Sequence, residues 1–585
     1  MKHYISGARS IRHALAGGLV VGLVSVLVAC GGGGTTPVTG VQVRPLSPEF
    51  GTRKAVSYSP YRTATNSAGL DAEVIPPANI KQDLDLLLAG GFRLIRLFGS
   101  SDKVAKQTLQ VIYQYKLDMR VQLGAYTGGD TYASAADKAT INAANLAELA
   151  RAVALATDPK FKDIILAVSV GNETQVDFSG VRTQPETLAG YLRTVRNQIT
   201  QPVTTDDNFA AWAGLSNLII NEVDFASIHT YVELDTFFNP TLWNWRQKDA
   251  SAASRAAAMM DAALIESRRQ YTQVRAFLDS KGLSNMPVTI GETGWNVIDP
   301  RLPFRAHPAN QKMYLDRLNT WAAEGRAGAG PKAVIYFEAF DEPWKQGDDG
   351  WGLFNVKRQA RYVIQSLGTC GVTWACEPGA YTDASALYFV PPLLNAVVAE
   401  NKYSLFTEAA LGVSEVRPTG LRWDAFDGDS VNAPEVTTTS APGDATHSIA
   451  ITPQPKNYGW GFLNQSATTP PTTANLSGFA GGSVRFYVNT TYPGKIEIGI
   501  SSDTQDRDVQ EAYLQIGSGD YGYCNTGAWC PVTIPLAAFA AANPKLDLSL
   551  VLSRFIIADR YAFTGKALNS NITTKLNIDA IYWSR

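Results

Sequence analysis

From Lys54 to Trp344, short apolar runs alternate with stretches whose apolar residues recur at helical spacing. The runs predict eight strands: Lys54–Tyr61, Phe92–Gly99, Met119–Tyr126, Ile165–Glu173, Pro202–Asp207, Val223–Tyr231, Met286–Trp295 and Lys332–Trp344. Between the first two, Asn79 reads as an N-cap, followed by Ile80, Leu84, Leu87 and Leu88 on one helical face. Eight strands separated by helices over roughly 290 residues predict a (β/α)8 TIM barrel. A doubly wound open sheet would alternate in the same way, but no glycine-rich phosphate loop follows the first strand. Beyond Arg422 the pattern changes to alternating runs such as Ser483–Val488 and Lys495–Ile500, separated by Thr, Asn, Gly and Pro. These predict an antiparallel, all-β sandwich of jelly-roll type. The expected organisation is a leader over 1–29, a flexible tether over 30–50, the barrel over 51–356, a linker or barrel extension over 357–421 and the sandwich over 422–585.

The leader has a basic start (Lys2, Arg9, Arg12) and an apolar stretch from Ala14 to Ala29, too short and glycine-rich for a spanning helix. Its end, Leu27-Val28-Ala29-Cys30, resembles the lipobox of bacterial lipoproteins. That resemblance implies cleavage before Cys30, a lipid on its sulfur and an exported protein held at the bacterial cell envelope. The outer membrane is favoured, because no aspartate follows the cysteine. Gly31–Gly34 then form a leash. The alternative is ordinary signal cleavage. Cys370 with Cys376 and Cys524 with Cys530 are two local pairs, read as disulfides in an exported chain. Zinc fits them poorly, since the spacing exceeds that of a knuckle and no histidine lies nearby. The formal net charge of −2, without a basic run, argues against a nucleic-acid partner, and 10% aromatic residues suit stacking on a neutral ligand.

Chemistry concentrates at the C-terminal tips of the predicted strands: Ser57-Tyr58, Arg96-Leu97-Phe98, Gly171-Asn172-Glu173, His229-Thr230-Tyr231 and Gly291-Glu292-Thr293. In a barrel the βα loops converge on this rim. Glu173 and Glu292 end the fourth and seventh strands, so both face one mouth. Two carboxyl groups about 5–5.5 Å apart suffice to cleave a glycosidic bond with retention, one as acid and one as nucleophile. A lone glutamate at a strand tip is usually a solvated loop residue; two such tips in facing strands favour catalysis. Asn172 is placed to bond a sugar 2-hydroxyl and Tyr231 to hold the nucleophile ionised. Tyr231 and Arg96 serve equally well as braces of the mouth. His229 reads as a structural hydrogen-bonding residue rather than a metal ligand, and Asp206 and Asp207 as loop caps. Trp295 is the favoured stacking residue; Trp344 and Trp351 are left open between stacking and packing.

Val170-Gly171-Asn172-Glu173, Ile290-Gly291-Glu292-Thr293-Gly294-Trp295 and the run from Tyr336 through Phe-Glu-Ala-Phe-Asp-Glu-Pro-Trp to Lys345 resemble motifs of glycoside hydrolase family 17. That family holds β-1,3-glucanases and related transglycosylases. The resemblance implies Glu173 as acid/base, Glu292 as nucleophile and Glu342 and Lys345 as charged neighbours of the centre. Tyr58, Arg96, Asn172, Tyr231, Trp295, Glu342 and Lys345 are the expected substrate-binding set. Trp344 before the lysine, and the long connection from Asn239 to Asn285, depart from the plant pattern. The expectation is a monomeric retaining hydrolase of β-glucan, with no cofactor and no metal. A glucanosyltransferase with the same residues, an inactive glycan-binding lipoprotein and a glycosidase for another β-linked polysaccharide are the alternatives. Trp460 and Tyr521 are candidate glycan contacts in the sandwich.

Overall fold

The computed structural model describes residues 43–585, apart from 178, 237–240, 300–301, 303, 329, 346–349, 433–434, 438, 445, 456–458 and 561–571. Cys30 and the leader lie outside the described residues. The described chain forms two compact units that divide between Phe389 and Val390.

In the first unit, β1 (Lys54–Ser57), β2 (Phe92–Leu97), β3 (Arg120–Ala125), β4 (Ile165–Asn172), β5 (Val203–Asn208), β6 (Ala226–His229), β7 (Val288–Thr293) and β8 (Val334–Tyr336) close in sequence order into a parallel barrel. All eight predicted strands are present. Most end earlier than predicted, because ladder pairing stops while the polar and aromatic pattern runs on into the loops of the mouth. The last is the extreme case: the run to Trp344 contributes only Val334–Tyr336 to the sheet. The first barrel helix spans Pro77–Ala89, so Asn79 lies inside its first turn and does not cap it. Pro77 opens this helix, where a residue without an N–H costs nothing. Ile80, Leu84 and Leu87 are buried as the spacing requires.

The tether ends sooner than residue 50. Arg44 donates to the carbonyls of Arg196, Ile199 and Gln201. A short helix, Pro48–Thr52, carries Phe50 into the base of the barrel against Phe225, with ring centroids 5.8 Å apart. Phe50 is joined there by Leu94, Ala167, Ala333 and Ile335, so this end is packed and the opposite rim is left for chemistry.

The segment 357–389 is barrel wall. Arg358 reaches Asp83 (3.0 and 3.2 Å), and Arg361 pairs with Asp341. The Cys370–Cys376 disulfide closes the loop beyond. Asp83, wholly buried, also accepts from the Tyr58 hydroxyl (3.1 Å) and Arg62 (2.5 Å). Asp83→Ala leaves Arg358 buried without its counter-charge, and is expected to cost about 3–5 kcal/mol. Urea unfolding of the two proteins checks this; equal midpoints and slopes would refute the clamp.

The second unit, 390–585, is a β-sandwich. One sheet runs β11 (Leu421–Ala425), β14 (Gly459–Ser466), β19 (Val551–Arg560), β16 (Ile496–Ser502) and β17 (Gln510–Ile516). The other contains β10 (Glu415–Val416), β9 (Lys402–Phe406), β20 (Leu576–Ser584), β13 (Ser448–Ile451) and β12 (Glu435–Thr437), with β15 (Ser483–Thr490) between β20 and β18 (Trp529–Pro535). The sandwich thus begins before residue 422, because β9 finds its partner in the C-terminal β20. Trp460, Phe462, Phe486, Ile498, Ile557 and Trp583 pack its centre. Cys524–Cys530 is the second disulfide. Trp460 is buried and donates to the Tyr492 hydroxyl (2.9 Å), which removes it as a glycan contact, whereas Tyr521 is exposed.

Candidate active site

Glu173 follows β4 directly and Glu292 lies in β7. The backbone at Gly171 and Glu173 takes positive φ (81° and 50°). Glycine adopts this region freely; glutamate does so under local strain, of the kind that clusters at functional sites. Its amide donates to the Asp206 carbonyl (2.8 Å), fixing the turn. A Cβ on Gly291 would sit 2.3 Å from Ser227 Oγ and 3.2 Å from Asp206 Oδ1, so only glycine admits the close packing beneath Glu292.

Glu292 is almost enclosed. Its Oε1 receives Arg96, and the Tyr231 hydroxyl donates to Oε2 at 2.7 Å. Burial raises its pKa, but the His229 and Arg96 charges and the bonds from Tyr231 and Arg96 outweigh that and hold it below the usual range. Arg96 is a buried brace rather than an open sugar ligand: Nε donates to Asp206 (2.8 Å) and Nη2 to Asn172 Oδ1 (2.5 Å). With Oδ1 so engaged, the Asn172 NH2 group is left to donate. Asp206 is part of this network, accepts from Gln122 (3.2 and 3.3 Å) and lies within β5; it does not cap a loop. Asp207, also in β5 and buried, accepts from the Gln175 and Asn208 amides. Burial and the nearby Glu173 charge push it to about 7.

One imidazole connects the two glutamates. His229 is fully buried; its Nδ1 is 3.0 Å from Glu173 and its Nε2 3.6 Å from Glu292. Its register partner on β7 is Glu292 itself. Burial disfavours its proton, yet the two carboxylates outweigh burial and raise its pKa. Replacing His229 with Asn removes a positive neighbour that depresses Glu292, so the Glu292 pKa rises. Protonation then reaches Glu292 at higher pH, and the acid limb of kcat/KM is expected to move upward by about one unit. A pH–rate profile checks this; an unmoved limb would show that His229 carries no charge there.

The rim beside the glutamates is aromatic. Phe337, half-buried, stands edge-on to Phe98 (6.4 Å) and Tyr231 (5.9 Å), and Lys345 Nζ lies 4.3 Å above it. Lys345 pairs with Glu342 and with Glu338 (2.7 Å). Burial drives Glu338 well above the carboxylate range, while Glu342, despite its own burial, is held below it by Lys345. Glu338 and Phe337 had no role assigned from the sequence, Phe98 stood only as part of a strand tip, and Asp206 read as a loop cap. Nothing local to these four residues separates packing from function.

Two expected ligands are displaced. Tyr58 is 1% exposed, bonds to Asp83 and packs against Phe340, facing the outer layer rather than the mouth. Trp295 is likewise 1% exposed; it donates to the Arg305 carbonyl (3.0 Å) and packs between Trp243 and Tyr314, so it is core. Trp351 is also largely buried, against Tyr231 (5.4 Å). Among the described residues no group of three or more His, Cys, Asp or Glu is arranged to hold a metal ion.

A model of the BtgE/BtgC glycoside hydrolase domain matches residues 55–355, over half of the chain. The chain belongs to the BtgE/BtgC glycoside hydrolase family. The match coincides with the barrel and includes both glutamates. This BtgE/BtgC domain makes the protein a glycosidase-type enzyme whose substrate is a glycan. Among solved structures, the chain is similar to an endo-laminarinase from Formosa Hel1_33_131 (25% identity, 56% of this chain and 90% of that one, TM-score 0.47). It is also similar to an active-site mutant of the Rhizomucor miehei β-1,3-glucanosyltransferase in complex with laminaritriose (19%, 54% and 97%, TM-score 0.36). A third similarity is to the family 30 carbohydrate-binding module of a cellulosomal cellulase of Clostridium thermocellum (18%, 31% and 96%, TM-score 0.24). No curated protein matches the chain.

Proposed function

We propose that the barrel is a retaining hydrolase of β-linked glucan, with β-1,3 linkages the expected substrate, as in glycoside hydrolase family 17. Glu292 attacks the anomeric carbon to form a glycosyl-enzyme, while Glu173 protonates the leaving oxygen. Glu173 then deprotonates the incoming water, which attacks the same carbon and releases Glu292. The observation that carries this reading is the occupancy of Glu292. Arg96, His229 and Tyr231 surround both its oxygens, which suits direct attack and leaves little room to hold a water as a general base does. Asn172 donates to the 2-hydroxyl, a bond that strengthens in the transition state. Glu342 and Lys345 bind the sugar at the neighbouring rim.

The test is product analysis with β-1,3-gluco-oligosaccharides of defined length, using soluble protein that begins at Gly31. Shorter products, first released as the β-anomer, are expected; an α-anomer first, or no reaction, would overturn the mechanism or the substrate. Glucanosyl transfer by the same glutamates is the second reading, favoured by the half-buried Phe98 and Phe337 rings, which offer an acceptor sugar an apolar face. Products longer than the starting sugar would establish it. The residues around Cys30 support a further proposal, that the chain is lipid-anchored at the bacterial outer membrane. Cys30→Ser is then expected to release the protein from membranes and abolish incorporation of labelled fatty acid.

A further inference from the structure

The second unit contains an arginine without an acid. In the ladder between β16 and β19, Gly499 lies opposite Ile556 but Ser501 lies opposite Ser553. Two residues, Arg554 and Phe555, therefore face the single Ile500. Such a bulge re-aims a side chain, and here Arg554 lines one cleft with Tyr403 of the other sheet. Its Nη1 donates to the Leu552 carbonyl (2.6 Å) and Nη2 to the Thr472 carbonyl (3.2 Å); Nε has no partner. The residue is only 3% exposed. Among the described residues no carboxylate pairs with it. Arg560, six residues on in the same strand and equally buried, shows the ordinary solution: Glu497 receives its Nε at 2.9 Å.

A buried guanidinium without a counter-charge is costly, and carbonyl dipoles offset only part of that cost. Arg554 lines a cleft of about 260 Å³ whose other walls include Asn395, Tyr403, Thr419, Ser466 and Asn475, all formally neutral. We propose that this cleft binds a monoanionic carboxylate carried on a polyhydroxylated body, the chemistry of a uronic acid residue. Nε is unpartnered and each Nη keeps a second proton beyond its carbonyl bond, which leaves a planar donor edge for one carboxylate. A single positive charge suits a monoanion better than a phosphate dianion. The surrounding hydroxyl and amide groups suit a sugar ring. This site lies outside the catalytic barrel and is independent of the reading given for it.

The test is calorimetric titration of the full-length protein with glucuronate, glucose and inorganic phosphate. Glucuronate is expected to bind at least about tenfold more tightly than glucose, the worth of one charge-assisted bond, and more tightly than phosphate. Arg554→Gln should abolish that preference. Thr419→Trp, at the exposed rim, should block glucuronate with Arg554 intact, which keeps the test decisive if Arg554→Gln fails to fold. Equal affinity for glucose and glucuronate, tighter phosphate binding, or glucuronate binding unchanged by Thr419→Trp would overturn the assignment.

Discussion

Glu292→Gln is expected to lower kcat by about 10⁴-fold or more while leaving glucan binding nearly intact. The amide keeps the volume of the carboxyl group but has no nucleophilic oxygen, so the glycosyl-enzyme cannot form. A loss of that size is about 5 kcal/mol of barrier. Binding should survive, because in the proposed mechanism Asn172, Glu342 and Lys345 also hold the sugar. The same substitution has a pH signature in stability. The Glu292 pKa is depressed in the folded protein, so its ionisation contributes stability above the ordinary glutamate range, lost as pH falls through the folded value. The melting temperature of the wild type should therefore exceed that of the variant most at neutral pH, and the gap should close on acidification. Single-turnover kinetics beside calorimetric binding measure the first effect. A variant that kept more than about a hundredth of kcat would remove Glu292 from the nucleophile role.

Glu173→Ala is expected to separate the two chemical steps. Without an acid, natural glucan with its poor leaving group loses about 10²–10⁴-fold. An aryl glycoside whose phenolate departs unaided should form the glycosyl-enzyme almost as fast as with the wild type, and then stall, because no base activates water. Azide needs no deprotonation, so its addition should restore turnover and yield a β-glycosyl azide. The cavity left by the truncated side chain, together with its 31% side-chain exposure in the wild type, gives the anion access. An α-azide would indicate inversion, and the absence of rescue would assign the acid/base role elsewhere; Asp207, held near neutrality beside Glu173, is the first residue to test next.

Several functional elements were legible because the local pattern and the global fold point the same way. Apolar runs such as Ile165–Val170 become β4, and the polar tips that follow them become the rim. Gly171-Asn172-Glu173 and Gly291-Glu292-Thr293 stood out for the same reason, since polar groups at the end of a buried strand need an explanation. The place of Trp295 was not legible, because an aromatic beside a polar strand tip looks the same in sequence whether its ring faces a ligand or Tyr314. Tyr58 is the same case: Asp83 and Phe340, which hold it, lie 25 and about 280 residues away.

The sequence by itself determined the eight strands, their order and the two glutamates at one rim, because period-2 and period-3.6 patterns are local and a parallel barrel places every strand end on a known face. It also indicated the two disulfide pairs and the change to a sandwich. Only the tertiary structure decided that one buried histidine joins Glu173 to Glu292, that Arg96, itself held by Asp206, grips Glu292, and that Arg554 has no acid while Arg560 has one. Those facts depend on the distance between side chains on strands far apart in the chain. Such distances follow from packing in three dimensions, and no local pattern encodes them.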